Sequence, residues 1–321
     1  MATRKPLAAA LASLLICSAA GASDLTYFDT VFDTDWASAG LGGLRGDGTG
    51  AITLSGVSGP VTRAYLYWHG PTNSTNPLAN ASVTFAGTSI NGNNIGFSDD
   101  NFWDAANSQA YRADVTSLVS GNGSYALANF LKPDVAEING ASLVVFFNDG
   151  NAANNRDVVL FDGNDANFAN AFDALGWNTT LSGINYSAGT ASVQLHVSDG
   201  QDFSGADDGN LRINGTTVAS GDIFNGNTTP FAAGGVSNGK LWDINSFAAT
   251  AFLTPGSNSL NVQLDSVNDA LSLVLAAIDL PAGAAPTTVP AIPEPQTYVL
   301  MLMGLGAVTW AARKRRLGQP V

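Results

Sequence analysis

The chain repeats itself, and the repeat limits what it can fold into. Leu54-Ser55-Gly56-Val57 recurs as Leu181-Ser182-Gly183-Ile184. The alternating run Ala64-Tyr65-Leu66-Tyr67-Trp68 is matched by Val193-Gln194-Leu195-His196-Val197. Val83 to Ile90 recurs as Leu211 to Val218, Asp114 to Leu118 as Asp243 to Phe247, and Ser142 to Val145 as Ser272 to Leu275. The order is kept and the offsets stay between 127 and 130 residues. One folding unit used twice explains this. The spacing predicts two copies in tandem, over residues 40–170 and 171–283, preceded by a short segment over 23–39.

Each copy reads as strands of five to eight residues with period-two alternation, bounded by Gly, Asn and Asp. Nearly every acid is Asp, while Glu, Lys and Gln are scarce, so poor helix formers dominate and turn formers abound. The fold class expected is all-β, two tandem β-sandwiches, jelly-roll-like or immunoglobulin-like. Spacing does not choose between these. Val83, Phe85, Leu211, Ile213 and Val218 should face inward, and Ala86-Gly87 and Asn214-Gly215 should form tight hairpin turns. Leu143 to Phe147 and Leu271 to Ile278 are nearly continuous apolar runs, which suits central strands or contacts between the copies. Residues 104–119 and 240–251 leave room for a helical turn, and Gly40 to Gly46 reads as a loop.

Both ends carry targeting patterns. Arg4 and Lys5 precede an apolar run from Leu7 to Ala19 and an Ala20-Gly21-Ala22 cleavage site, so residues 1–22 read as a signal peptide and Ser23 as the first mature residue. Such a peptide implies the Sec export machinery and signal peptidase as partners. Cys17 falls within it, leaving a mature chain without cysteine, held by its own core and by any bound metal. At the other end, a Pro-rich linker over 284–296 contains the stiff Pro293-Glu294-Pro295 break. Thr297 to Ala312 is uncharged and reads as a short transmembrane helix, reaching roughly 24 Å against a hydrocarbon core of roughly 30 Å. Arg313, Lys314, Arg315 and Arg316 begin a basic tail over 313–321 that should stay cytoplasmic.

The order Pro-Glu-Pro, short apolar helix, basic cluster resembles the PEP-CTERM sorting signal of exported bacterial proteins. The resemblance implies recognition by an exosortase. Residues 297–312 would then anchor the chain in the inner membrane transiently, before delivery to the cell surface or beyond. The body also resembles a loose group of bacterial and archaeal surface ectodomains. The likeness rests on Ala64 to Trp68, Asp114 to Thr116, Gly140 to Val145 and Val158 to Gly163. It implies surface display. In the second copy Trp68 is replaced by Val197 and the Val158–Gly163 strand has no match.

Between the targeting ends the charge is near −18, with seven basic and 25 acidic residues. That argues against nucleic acid as a partner and suits solubility outside the cell and cation binding. Two oxygen-rich loops are candidate sites for structural Ca²⁺, which takes hard oxygen ligands at flexible geometry. One holds Asp199, Asp202, Asp207 and Asp208; the other holds Asp149, Asn151 and Asp157. Neither has the EF-hand pattern, and the same residues also make good turns.

His69 and His196 are the only histidines. They fall at comparable places in the two copies, which suggests strand ends with satisfied or solvent-facing rings. No G-x-S-x-G elbow occurs, and Glu137 is the only glutamate before Glu294, so hydrolysis has little support. Tyr65, Tyr67, Trp68, Phe102, Trp103, Tyr111, Trp177 and Trp242 are core or a platform for sugar rings. The functional expectation is a non-catalytic structural or adhesive protein of the envelope or biofilm matrix. A carbohydrate-binding module with exopolysaccharide as partner is the alternative, and a secreted glycan hydrolase is third.

Overall fold

The computed structural model describes residues 24–202, 205, 207–226 and 240–284. The expected signal peptide with Ala20, Ala22 and Ser23, the linker beyond residue 284, the span over 297–312 and the sorting residues Pro293, Glu294, Pro295 and Arg313 to Arg316 lie outside them. Among the described residues, no helix is long and apolar enough to cross a membrane.

Alternating sequence becomes strand throughout. The first half contains β1 (Thr26–Gly42), β2 (Gly50–Leu54), β3 (Val61–Thr72), β4 (Ser82–Phe85), β5 (Thr88–Asn91), β6 (Asn93–Ser98), β7 (Asn107–Asp114), β8 (Gly123–Ala128) and β9 (Gly140–Phe147). The second contains β10 (Arg156–Ala166), β11 (Asn178–Tyr186), β12 (Ser192–Ser198), β13 (Asn210–Ile213), β14 (Thr216–Ser220), β15 (Trp242–Ala248), β16 (Gly256–Leu264) and β17 (Ser272–Pro281). Both expected hairpins form. Ala86 and Gly87 have φ of 50° and 78°, and Asn214 and Gly215 have 48° and 78°. Two successive positive φ values make the turn whose twist matches its strands.

Two small sheets repeat the same strand order, β2-β8-β4-β5 and β11-β16-β13-β14. The third sheet runs β15-β12-β17-β10-β1-β9-β3-β7-β6 through both halves. Setting aside the edge strand β6, each half pairs its strands one-eight-three-six over two-seven-four-five. That is the winding of a jelly roll, not of an immunoglobulin sandwich. β10 takes in the second half the place that the end of β1 takes in the first. The second half therefore begins at Arg156, inside the residues 40–170 that the spacing gave to the first copy. Likewise the residues set apart as 23–39 are mostly β1, and Gly40 to Gly42 finish that strand.

β1 joins the halves. Thr26 to Thr34 pair with β10, and Asp35 to Gly42 pair with β9. The register shifts between Val31 and Thr34 at the handover, where Asp33 has φ of 51°. A non-glycine residue in that region is uncommon, and Asp is one of the types that tolerate it.

Three cores follow. Leu143, Val145 and Phe147 of β9 enter the first with Ile52, Trp68 and Phe85. Leu273, Ile278 and Leu280 of β17 enter the second with Trp177, Leu211 and Phe224. The intervening residues of both strands, Val144, Phe146, Val274 and Ala277, meet in a third core with Tyr67, Val158, Leu160 and Trp242. β9 and β17 thus bury both faces, which is why their sequences lack alternation. Burying one such side chain stabilises by roughly 1.5–3 kcal/mol. The described residues all fall within one compact unit.

Candidate functional site

The oxygen-rich loop after β9 holds the handover in β1. Asp35 Oδ2 accepts the Asp149 N–H at 2.9 Å, and its Oδ1 accepts from Asn154 Nδ2 at 2.9 Å. Asp157 Oδ1 accepts the Asp33 N–H at 2.9 Å, while Asn155 donates to the Asp33 carbonyl and carboxylate. Asp149 accepts from the Asn151 N–H and from Asn154, and hydrogen bonds to these two pull its carboxyl below the usual range. Asn151 accepts the Ala153 N–H. Asp149, Asn151 and Asp157 all serve this internal network.

The second expected cation loop is spread out. Asp199 is wholly buried, accepting from Trp103 Nε1 at 2.7 Å and from Asn139 Nδ2 at 3.0 Å. Asp208 accepts the N–H groups of Ile223 and Phe224, both at 2.7 Å, and Asp207 accepts that of Gly209. Asp202 is exposed. Among the described residues, these four acids do not converge as a set of metal ligands. Burial raises Asp208 to about 6, and burial followed by the charge of Asp208 raises Asp269 to about 8.

The histidines sit inside strands β3 and β12, fully buried. They are neither strand ends nor solvent-facing, because the third core covers them. Each reaches across to the other half. His69 Nδ1 lies 2.6 Å from Ser198 Oγ, and His196 Nδ1 lies 2.8 Å from Ser142 Oγ. Burial lowers both imidazoles to about 3.

From Ser198 a polar chain leads outward to a groove of about 600 Å³ lined by Arg45, Trp103, Leu131, Lys132, Val135 and Glu137, among others. Asn139 Nδ2 donates to Ser198 and Asp199, and Trp103 donates to Asp199. The Arg45 guanidinium lies 3.4 Å above the Trp103 ring, and its Nε is 2.7 Å from Glu137 Oε2. Burial lowers Arg45 and pushes Asp199 well up; Arg45 opposes the latter shift.

A ring face covered by a guanidinium is not free for a sugar. Tyr65, Tyr67, Trp68, Tyr111, Trp177 and Trp242 are core. Phe102 is exposed and meets Phe168 edge to face. The alternation pattern could assign strand aromatics to the core. The cross-half roles of Arg45, Asn139 and Ser198 had no signal, since they lie far apart in sequence.

No curated protein matches the chain. The chain is similar to solved peptide-N(4)-(N-acetyl-β-D-glucosaminyl) asparagine amidase, at 14% identity and a TM-score of 0.32 over 82% of this chain and 97% of that one. It is similar also to PNGase F, a glycosylasparaginase from Flavobacterium meningosepticum, at 14% identity and a TM-score of 0.31 over 81% and 98%. Likeness of this size carries no assignment of chemistry. The match that does assign something is at the C-terminus, where the model of the PEP-CTERM protein-sorting motif covers residues 291–316. The chain carries the PEP-CTERM sorting motif, the mark of an exported protein sorted by exosortase.

Proposed function

We propose that the protein is a non-catalytic building block of the cell surface or extracellular matrix, exported through residues 1–22 and released from transient anchoring by residues 297–312. The sorting motif at residues 291–316 carries this reading. The buried polar groups support it. Asp35, Asp157 and Asp199 hold strands and halves together, and Glu137 of the groove is paired with Arg45.

The test follows the chain in its host by fractionation. Wild type should leave the inner membrane shortened at its C-terminus, and replacing Pro293-Glu294-Pro295 with alanines should hold it there. Intact wild-type protein retained in the inner membrane with Arg313 to Arg316 would overturn the reading.

The groove beside Lys132 and Glu137 supports a second reading, binding of exopolysaccharide in the same matrix. Acidic and neutral glycan arrays probed with the protein and with Lys132→Ala test it; the variant should lose any signal that the wild type shows.

A further inference from the structure

Three aspartates outside both expected loops meet where the halves join. Asp24 lies two residues before the start of β1, Asp165 lies in β10, and Asp173 lies in the connection from β10 to β11. One carboxylate oxygen from each lies within 4.8 Å of the others, and among the described residues they are the set so arranged. Asp165 is fully buried, and neither of its oxygens has a hydrogen-bond partner. Asp173 Oδ2 is also buried and unpartnered, while its Oδ1 accepts the Leu175 N–H at 2.9 Å. None of the five ion pairs found among the described residues includes these three acids.

Buried polar atoms are almost always bonded, and a buried carboxylate without donor or counter-ion is not a stable arrangement. A bound cation resolves it. Oxygens at about 2.3–2.6 Å from a common centre lie no more than about 5 Å apart, which is the spread of this trio. All-oxygen, all-carboxylate chemistry suits a hard ion and not zinc, which favours nitrogen and sulfur.

The local backbone is built to present the three groups. A Cβ on Gly163 would stand 2.8 Å from the Asp24 carbonyl oxygen, so glycine there lets the chain before β1 lie against β10. Asn170 Oδ1 accepts the N–H groups of Phe172 and Asp173, and Asn170 N–H donates to the Asp173 carbonyl, which shapes the turn that aims Asp173 inward. Without an ion, burial and the charges of Asp173 and Asp24 push Asp165 well above the carboxylate range.

We infer that Asp24, Asp165 and Asp173 form a structural calcium site, completed by water or loop carbonyls, that ties the start of β1 to the end of β10 and to the connection between the halves. The site does not depend on the surface-protein reading.

The experiment uses full-length protein freed of metal, titrated with calcium chloride by calorimetry and melted with calcium or with chelator. Wild type should bind one calcium more than Asp173→Asn and melt higher in millimolar calcium. Asp165→Asn and Asp173→Asn should each weaken that site by roughly ten-fold or more, as expected when a carboxylate ligand is removed, and lose the melting shift. If Asp165→Asn does not fold, Asp173→Asn, at a partly exposed position, decides alone. Equal stoichiometry and equal melting shifts in wild type and Asp173→Asn would place calcium elsewhere and overturn the proposal. So would a wild type whose melting ignores calcium, which would leave the trio sharing a proton.

Discussion

His69 in β3 and Ser198 in β12 sit in different halves of the molecule, yet the ring Nδ1 and the hydroxyl oxygen are 2.6 Å apart. His196 and Ser142 make the reciprocal contact at 2.8 Å. The two histidines lock the third core from both sides, and both are kept neutral by burial.

Acid should therefore loosen the molecule through these rings. An unfolded histidine titrates near 6.5, and the folded ones at about 3. Between those values the unfolded chain binds protons that the folded chain refuses, so stability falls as pH falls from about 6.5 toward 3. The slope is about 1.4 kcal/mol per pH unit for each ring. Urea unfolding of wild type and the His69→Gln/His196→Gln variant across this range should give a shallower loss in the variant. Parallel slopes would mean that the rings are not buried neutral.

Asp269 acts in the opposite sense. Its folded value of about 8 lies far above the unfolded 3.8, so the folded state holds the extra proton. The stability it contributes is complete at low pH and lost as pH rises through about 8. Asp269→Asn should flatten the decline between about pH 4 and 8 in thermal melts. A variant that declines as steeply as wild type would rule this out.

Arg112 and Arg63 each pair with an aspartate, with different consequences. Arg112 meets Asp162, which also accepts from Tyr67 Oη, and lies 3.3 Å over the Phe28 ring. The Asp162 side chain is 6% exposed, so Arg112→Ala strands a buried charge and should cost about 3–5 kcal/mol. Arg63 is 45% exposed in its pair with Asp29, and Arg63→Ala should cost about 1 kcal/mol or less. Chemical denaturation of the two variants side by side checks the ranking.

Phe146→Ala removes a ring from the third core and should cost about 3–5 kcal/mol. Because β1 pairs with both halves, calorimetry should show one unfolding transition with matching calorimetric and van't Hoff enthalpies, in the variant as in wild type. Two separated transitions would show that the halves unfold independently.

The all-β class and the hairpins at Ala86-Gly87 and Asn214-Gly215 were legible because each rests on local chemistry. The alignment of the repeat was legible only in part. Thr116 Oγ1 accepts the Ala64 N–H, and Thr250 Oγ1 accepts the Ala191 N–H. Thr116 therefore corresponds to Thr250, although its neighbours Asp114 to Leu118 resemble Asp243 to Phe247. A longer connection before β15 displaces the later strands, and a match of a few small residues cannot sense it.

Candidate sites were harder still. Asp149 and Asp199 looked like ligands by composition, whereas their oxygens are taken by Asn151, Asn154, Trp103 and Asn139. Asp24, Asp165 and Asp173 stood alone in sequence and were joined only by the pairing of β1 with β10.

Strand β1 is the first described strand of the chain, and its partners arrive late. β9 begins at Gly140 and β10 at Arg156, while β10 itself waits for β17, which ends at Pro281. Such long-range pairing makes folding slow and leaves strand edges open meanwhile. For a chain that threads through a membrane N-terminus first, the sheet cannot close until almost all of the body has emerged.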